Sequence, residues 1–140
     1  MKTWLAIAVV ALSISSSVAA RQDAVPTELV PLQGTWVVTQ INGDAAPGDT
    51  ALKVVGAKYS ELIDSDIDET GLVKLDASKT PMTIDLQIQT GDSAGKTQLG
   101  IVEIKGNTMR VLLNNAGDTA RPTSFDKGDG ELFIVAEKRG

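Results

Sequence analysis

The chain has 140 residues, with 13 basic and 18 acidic side chains, no histidine and no cysteine. That length is one domain, and the acidic balance excludes the basic face that nucleic acid requires. Without histidine or cysteine there is no Ser-His-Asp triad, no thiol nucleophile and no Cys/His zinc site, and no disulfide supports the fold.

Residues 1–20 differ from the rest. Lys2 is a short basic start, residues 4–12 are an unbroken apolar run, and Val18-Ala19-Ala20 offers the small residues that a signal peptidase reads. The pattern predicts a secretory signal peptide cut after Ala20, and hence a periplasmic or extracellular protein. The apolar run is too short for a membrane anchor, which needs roughly 20 residues, so the mature chain is expected to have no membrane span. No cysteine follows the run to carry a lipid. Past the cut lie all 18 acidic and 12 of the 13 basic side chains, a net charge of about −6. Spread along the chain, it favours solubility and opposes anionic membranes. The 120 residues that remain can bury about two-thirds of their unfolded surface. Aromatics are few, so the core is expected to be Val, Ile and Leu.

Residues 21–31 hold two prolines and little pattern, and read as a leader onto a domain over 32–140. From Gly34 onward, short β-branched runs alternate with turn residues, the signature of strands. Residues 35–41 form the first, stopped by Asn42-Gly43-Asp44. A loop with Pro47 and Gly48 leads to the second, 52–55. Gly56-Ala57-Lys58 turns it into the third, 59–63. A polar stretch over 64–70 reads as a loop before the fourth, 72–75. After a loop over 76–81, residues 82–89 give the clearest signal. Met82, Ile84, Leu86 and Ile88 alternate with Thr83, Asp85, Gln87 and Gln89, so one face is buried and one is wet. A hairpin loop over 90–96 leads to 99–104, Lys105-Gly106-Asn107 turns into 108–113, and a long loop over 114–127 precedes the last strand, 131–137. Eight strands with short connections are antiparallel neighbours. They predict an all-β, eight-stranded antiparallel barrel, whose closure removes exposed edges.

Gly34-Thr35-Trp36 at the start of the first strand and Lys138-Arg139 at the end of the last resemble lipocalin-like (calycin-type) barrels. There a Gly-x-Trp holds that place and a basic residue of the final strand packs over the indole. The stretch from Leu32 to Arg139 is similar to an uncharacterised lipocalin-like domain family of small exported proteins, expanded in planctomycete bacteria. The likeness is carried by Leu32-Gln33-Gly34-Thr35-Trp36, Leu75-Asp76, Pro81 with Ile84-Asp85-Leu86, and Gly95-Lys96-Thr97 with Leu99-Gly100-Ile101. Glu103, Gly106, Arg121-Pro122-Thr123-Ser124-Phe125 and Lys138-Arg139 complete it. Val102 departs from it, standing where the family tends to have tyrosine. The resemblance implies export and a barrel, and names no activity or cofactor.

Four groups of residues invite a chemical reading. Residues 91–97, GDSAGKT, imitate a phosphate-binding loop. They have three residues between the glycines where four are needed, and a strand follows instead of a helix N-terminus; a hairpin is expected. Glu61, Asp64, Asp66, Asp68 and Glu69 cluster like calcium ligands, but Glu69 and Leu75 stand where an EF-hand loop needs glycine and glutamate. A solvated turn is expected, with no metal site. Arg121, stiffened by Pro122, is either a ligand anchor at the barrel mouth or a clamp on Asp85, Glu103 or backbone carbonyls. Trp36, Phe125 and Phe133 are either pocket lining or core. Gly34, Trp36, Arg121, Phe125 and Arg139 are thus the candidate structural or ligand-binding positions. No catalytic residue and no cofactor is expected. The function expected is non-enzymatic binding of a small apolar or amphiphilic ligand inside the barrel, since eight strands leave room for side chains or one small ligand. The rival is a solid barrel that serves as a structural or protein-interaction module of the cell envelope, with a protein partner there.

Overall fold

The computed structural model describes residues 25–126 and 128–139; the predicted signal peptide lies outside them. A 3-10 helix, Thr27–Leu32, precedes nine strands: β1 Gly34–Ile41, β2 Asp44–Ala45, β3 Thr50–Val55, β4 Lys58–Ile63, β5 Asp66–Asp76, β6 Met82–Thr90, β7 Thr97–Lys105, β8 Thr108–Leu113 and β9 Leu132–Lys138. Each strand from β3 to β9 pairs antiparallel with the next, β3 pairs with β1, and β9 returns to β1. The closing ladder pairs Trp36 with Lys138 and Val38 with Ala136. The short β2 hangs on the upper end of β1, Gln40 opposite Ala45. The other eight strands are the closed antiparallel barrel expected from the sequence.

Alternation decides which side chains enter. Ile84 and Ile88 are buried and Leu86 is half-buried, while Gln87 and Gln89 between and beyond them are exposed. The same period places Trp36 and Val38 of β1 inside, and Met109, Val111 and Leu113 of β8. The residues read as a leader end in the 3-10 helix, which closes the barrel floor. Its Leu29 and Leu32 are only 4% and 2% exposed and join the core. The other end, carrying the β4–β5, β6–β7 and β8–β9 connections, is the mouth.

Beyond the short β2 and the 3-10 helix, neither of which was expected, one stretch differs from expectation. Residues 64–70 are not a loop: Asp64 and Ser65 alone turn the chain, and Asp66 already begins the 11-residue β5. Asp64 (φ 52°) and Ser65 (φ 72°) both adopt the left-handed region, which is what a two-residue hairpin turn of this hand requires. Asn-Gly or Asp-Gly usually marks such a turn, so Asp-Ser hid it. Residues 66–68 stand at the rim with both faces wet, so no apolar alternation marks them as strand.

Candidate functional site

The barrel is not filled by its side chains. A cavity of about 300 Å³ runs from Leu32 at the floor to Ser93, Asn115 and Ala116 at the mouth. Its walls are mostly aliphatic: Val54, Val73, Ile84, Ile88, Met109 and Val111. They reach it through strand alternation, and the scarcity of aromatics is why they leave it open. Branched aliphatic side chains are shorter than the rings that would meet across the axis.

One wall is polar. Tyr59 and Glu61 point inward two residues apart on β4. Glu69 of β5 lies directly opposite Glu61 in the ladder. The register shifts just above, where Leu62 pairs with Ile67 and leaves Asp68 as the extra residue of a bulge. Gly71 makes room below. A Cβ there would strike the Gln87 carbonyl oxygen and lie 2.7 Å from Tyr59 Cε1, so the ring lies against bare backbone. The Tyr59 hydroxyl donates to Glu69 Oε2 at 2.8 Å. Burial, helped by that bond and by the charges of Glu69 and Glu61, holds the phenol protonated well above its usual range. Burial also pushes the Glu61 carboxyl up to about 7, with the charges of Glu69 and Asp68 adding to it. A carboxyl that changes charge near neutrality can donate a hydrogen bond to a neutral group or serve as counter-ion to a cation.

This carboxyl has a consequence for stability. The folded chain keeps a proton on Glu61 up to about pH 7, whereas the unfolded chain releases it near the ordinary value of 4.5. Its contribution is therefore full below pH 4.5 and is lost as pH rises through 7. The carboxyl faces a solvent-reaching cavity, so the full shift is discounted for screening to about 1–2 kcal/mol. Glu61→Gln is expected to remove that fall. Urea unfolding at pH 5 and pH 8 should show a smaller difference for the variant than for the wild type, and an unchanged difference would refute the assignment. Glu103 and Asp129 act in another window. Arg110 holds the first below its usual value, and the backbone N–H groups of Ser124 and Thr123 hold the second. Their contributions are lost only as pH falls through the acid range.

The positions singled out in the sequence lie elsewhere. Trp36 is 0% exposed, beneath the cavity, and its indole N–H donates to the Leu32 carbonyl at 2.9 Å. It is core, not pocket lining. Lys138 Nζ stands 5.7 Å from the centre of its ring, within cation–π reach. Gly34 has φ 110°, and a Cβ there would crowd Lys138 Cε at 3.3 Å. Gly34, Trp36 and Lys138 thus form the floor's outer seal. Arg139 joins it through its backbone, whose N–H donates to the Thr35 carbonyl at 2.9 Å.

Arg121 is not at the mouth. Its Nη1 donates to the carbonyls of Ile84 (3.0 Å) and Gly100 (2.9 Å), and its Nη2 donates to Asp85 Oδ1 at 2.6 Å. Asp85 belongs to the outward set of β6, so the guanidinium fastens the β8–β9 connection to the outer wall. That is the clamp, on one of the two acids considered. The other, Glu103, is held by Arg110 at 2.8 and 3.2 Å. Phe125 is also outside the barrel. Arg110 lies 4.2 Å above its ring centre, and Phe133 meets it edge-on with ring centres 6.4 Å apart. With Leu112 and Asn42 the two rings line a separate outer pocket of about 410 Å³ and do not reach the cavity.

The acidic cluster divides: Glu61 and Glu69 face the cavity with Asp68 beside them, and Asp64 and Asp66 stand apart. Asp64 Oδ1 accepts the Asp49 N–H at 3.0 Å in the turn, while Asp66 and Asp68 stand exposed on β5. Among the described residues no three acidic side chains converge as a metal site would need. Residues 91–96 form the β6–β7 loop, closed by Gly95 N–H donating to the Ile88 carbonyl. Sequence reasoning grouped Glu61 and Glu69 with this cluster and passed over Tyr59. The available signal was the Tyr59-x-Glu61 spacing, which puts both side chains on one face. Comparison with protein-family models, curated proteins and solved structures gives no match to the chain.

Proposed function

We propose that this chain is an exported, non-enzymatic, lipocalin-like protein that carries one small apolar or amphiphilic molecule in its barrel. The observation behind this reading is the cavity: about 300 Å³, aliphatic over most of its lining, with Tyr59, Glu61 and Glu69 on one wall and Ser93, Gln98 and Asn115 toward the mouth. Ligand pockets begin near that volume and combine an apolar lining with a few placed polar groups. An apolar cavity of about 150 Å³ admits benzene, so twice that volume suits a ligand of about a dozen non-hydrogen atoms. A cavity of this size also favours ligand carriage over a solid interaction module of the envelope. Export is read from residues 1–20, and kinship with the planctomycete lipocalin-like domains from the motifs between Leu32 and Arg139.

Native mass spectrometry of the protein purified from its own host tests the reading. The expected spectrum shows a chain beginning at Arg21 with one small molecule bound, released when the fold is lost. A ligand-free chain that still begins at Met1, or one found only with a stoichiometric protein partner, would count against it.

A further inference from the structure

We infer that the molecule carried in the barrel is an amphiphilic amine, its apolar tail on the floor and its cationic head between Glu61 and Glu69. This rests on the ligand-binding reading above and narrows it to one ligand class.

The cavity itself selects the ligand. Its lower part offers only apolar contact, with Leu32, Val73 and Met109, while Tyr59, Glu61 and Glu69 are the only ionisable residues of its lining among the described residues. Among the described residues no lysine or arginine lines it. β3 places Leu52 opposite Glu61, and β5 places Glu69 opposite it with Asp68 adjacent. The remaining walls, from β6 to β9, contribute no titratable side chain. The Tyr59 hydroxyl is engaged, donating to Glu69 Oε2. What the polar wall presents is therefore carboxylate oxygen, which accepts hydrogen bonds and carries negative charge. Two carboxylates placed directly opposite repel each other. A cation between them relieves that repulsion and makes short, charge-assisted N–H···O bonds. An anionic head would add a third negative charge, and a neutral alcohol would supply a single donor. Because Glu61 gives up its proton only near neutrality, an amine should bind more tightly once it has done so.

Calorimetric titration with decylamine, decan-1-ol and decanoate, each below its micelle concentration, tests the inference at pH 6 and pH 8. The three probes share a ten-carbon chain and differ in head group. Decylamine stays cationic at both pH values. It is expected to bind about tenfold more tightly than decanol at pH 8, to weaken at pH 6, and to exceed decanoate at both. In Glu61→Gln and Glu69→Gln the advantage of the amine over the alcohol should shrink, and in Glu61→Gln its pH dependence should vanish. Equal or tighter binding of decanol or decanoate by the wild type would overturn the amine assignment and leave ligand carriage standing. An amine preference unchanged in the doubly substituted protein would also overturn it. Failure of all three probes to bind would overturn both readings.

Discussion

Trp36→Ala is expected to destabilise the fold by about 3–5 kcal/mol, in the upper range for loss of a buried aromatic. The site cannot collapse around the gap. Trp36 is fully enclosed, with Leu32 of the floor helix on one side and the β9 ladder on the other. Removing the indole also strips the Leu32 carbonyl of its donor at 2.9 Å, and an acceptor left buried and unpaired has its own cost. The loss corresponds to a fall in melting temperature of roughly 10–20 °C for a domain of this size. Urea unfolding followed by circular dichroism would measure it. Trp36→Phe keeps much of the packing and loses only the hydrogen bond and some volume, so it should cost clearly less. Equal losses for the two variants would show that the N–H bond, not the ring, holds the floor.

The second large effect is expected at Arg121. One guanidinium there satisfies two carbonyls on paired strands and one carboxylate. Its side chain and that of Asp85 are each 28% exposed, so solvent only partly replaces what is lost. Arg121→Ala should cost about 2–4 kcal/mol, because Asp85 loses its counter-ion and two ladder carbonyls lose an added charged donor together. Arg121→Lys should recover little of this, since a lysine ammonium cannot reproduce the planar fork. Asp85→Asn should cost less than either, because both carbonyl bonds survive. Probe binding in the cavity separates the two roles considered for this arginine. A clamp on the outer wall leaves affinity for decanol at its wild-type value in any folded Arg121 variant, whereas a ligand anchor would lose it. The fully buried Pro122 that follows explains the placement. It pins the β8–β9 connection against the barrel and presents the arginine at a set distance from β6 and β7.

The polar wall shows why the candidate site was harder to read than the fold. The Met82-to-Ile88 alternation announces a strand and its inner face without any partner, because a side-chain period of two is a property of the strand itself. Gly106 and Gly56 likewise mark turns through their own backbone. Glu61 and Glu69 carry no such mark. Each is an ordinary acid on a strand near the rim, and they become a pair only because β4 and β5 meet in one register. A slip of one residue would turn one of them to solvent. That register follows from the Asp64–Ser65 turn and from the bulge at Asp68. Neither is written in residue types that demand it.

Sequence alone determined that the chain is β-rich, that its inward face is aliphatic, that it lacks the side chains of thiol and imidazole chemistry, and that Trp36 belongs near the start of the barrel. These follow from local periodicity and composition, which need no knowledge of what lies across the fold. Only the tertiary structure decided that the floor helix and β9 seal around Trp36, that Arg121 faces the outer wall, and that the interior keeps about 300 Å³ beside two opposed carboxylates. Those features depend on which residues meet across a closed sheet. Such meetings are set by register, bulges and closure, and summed over the whole barrel.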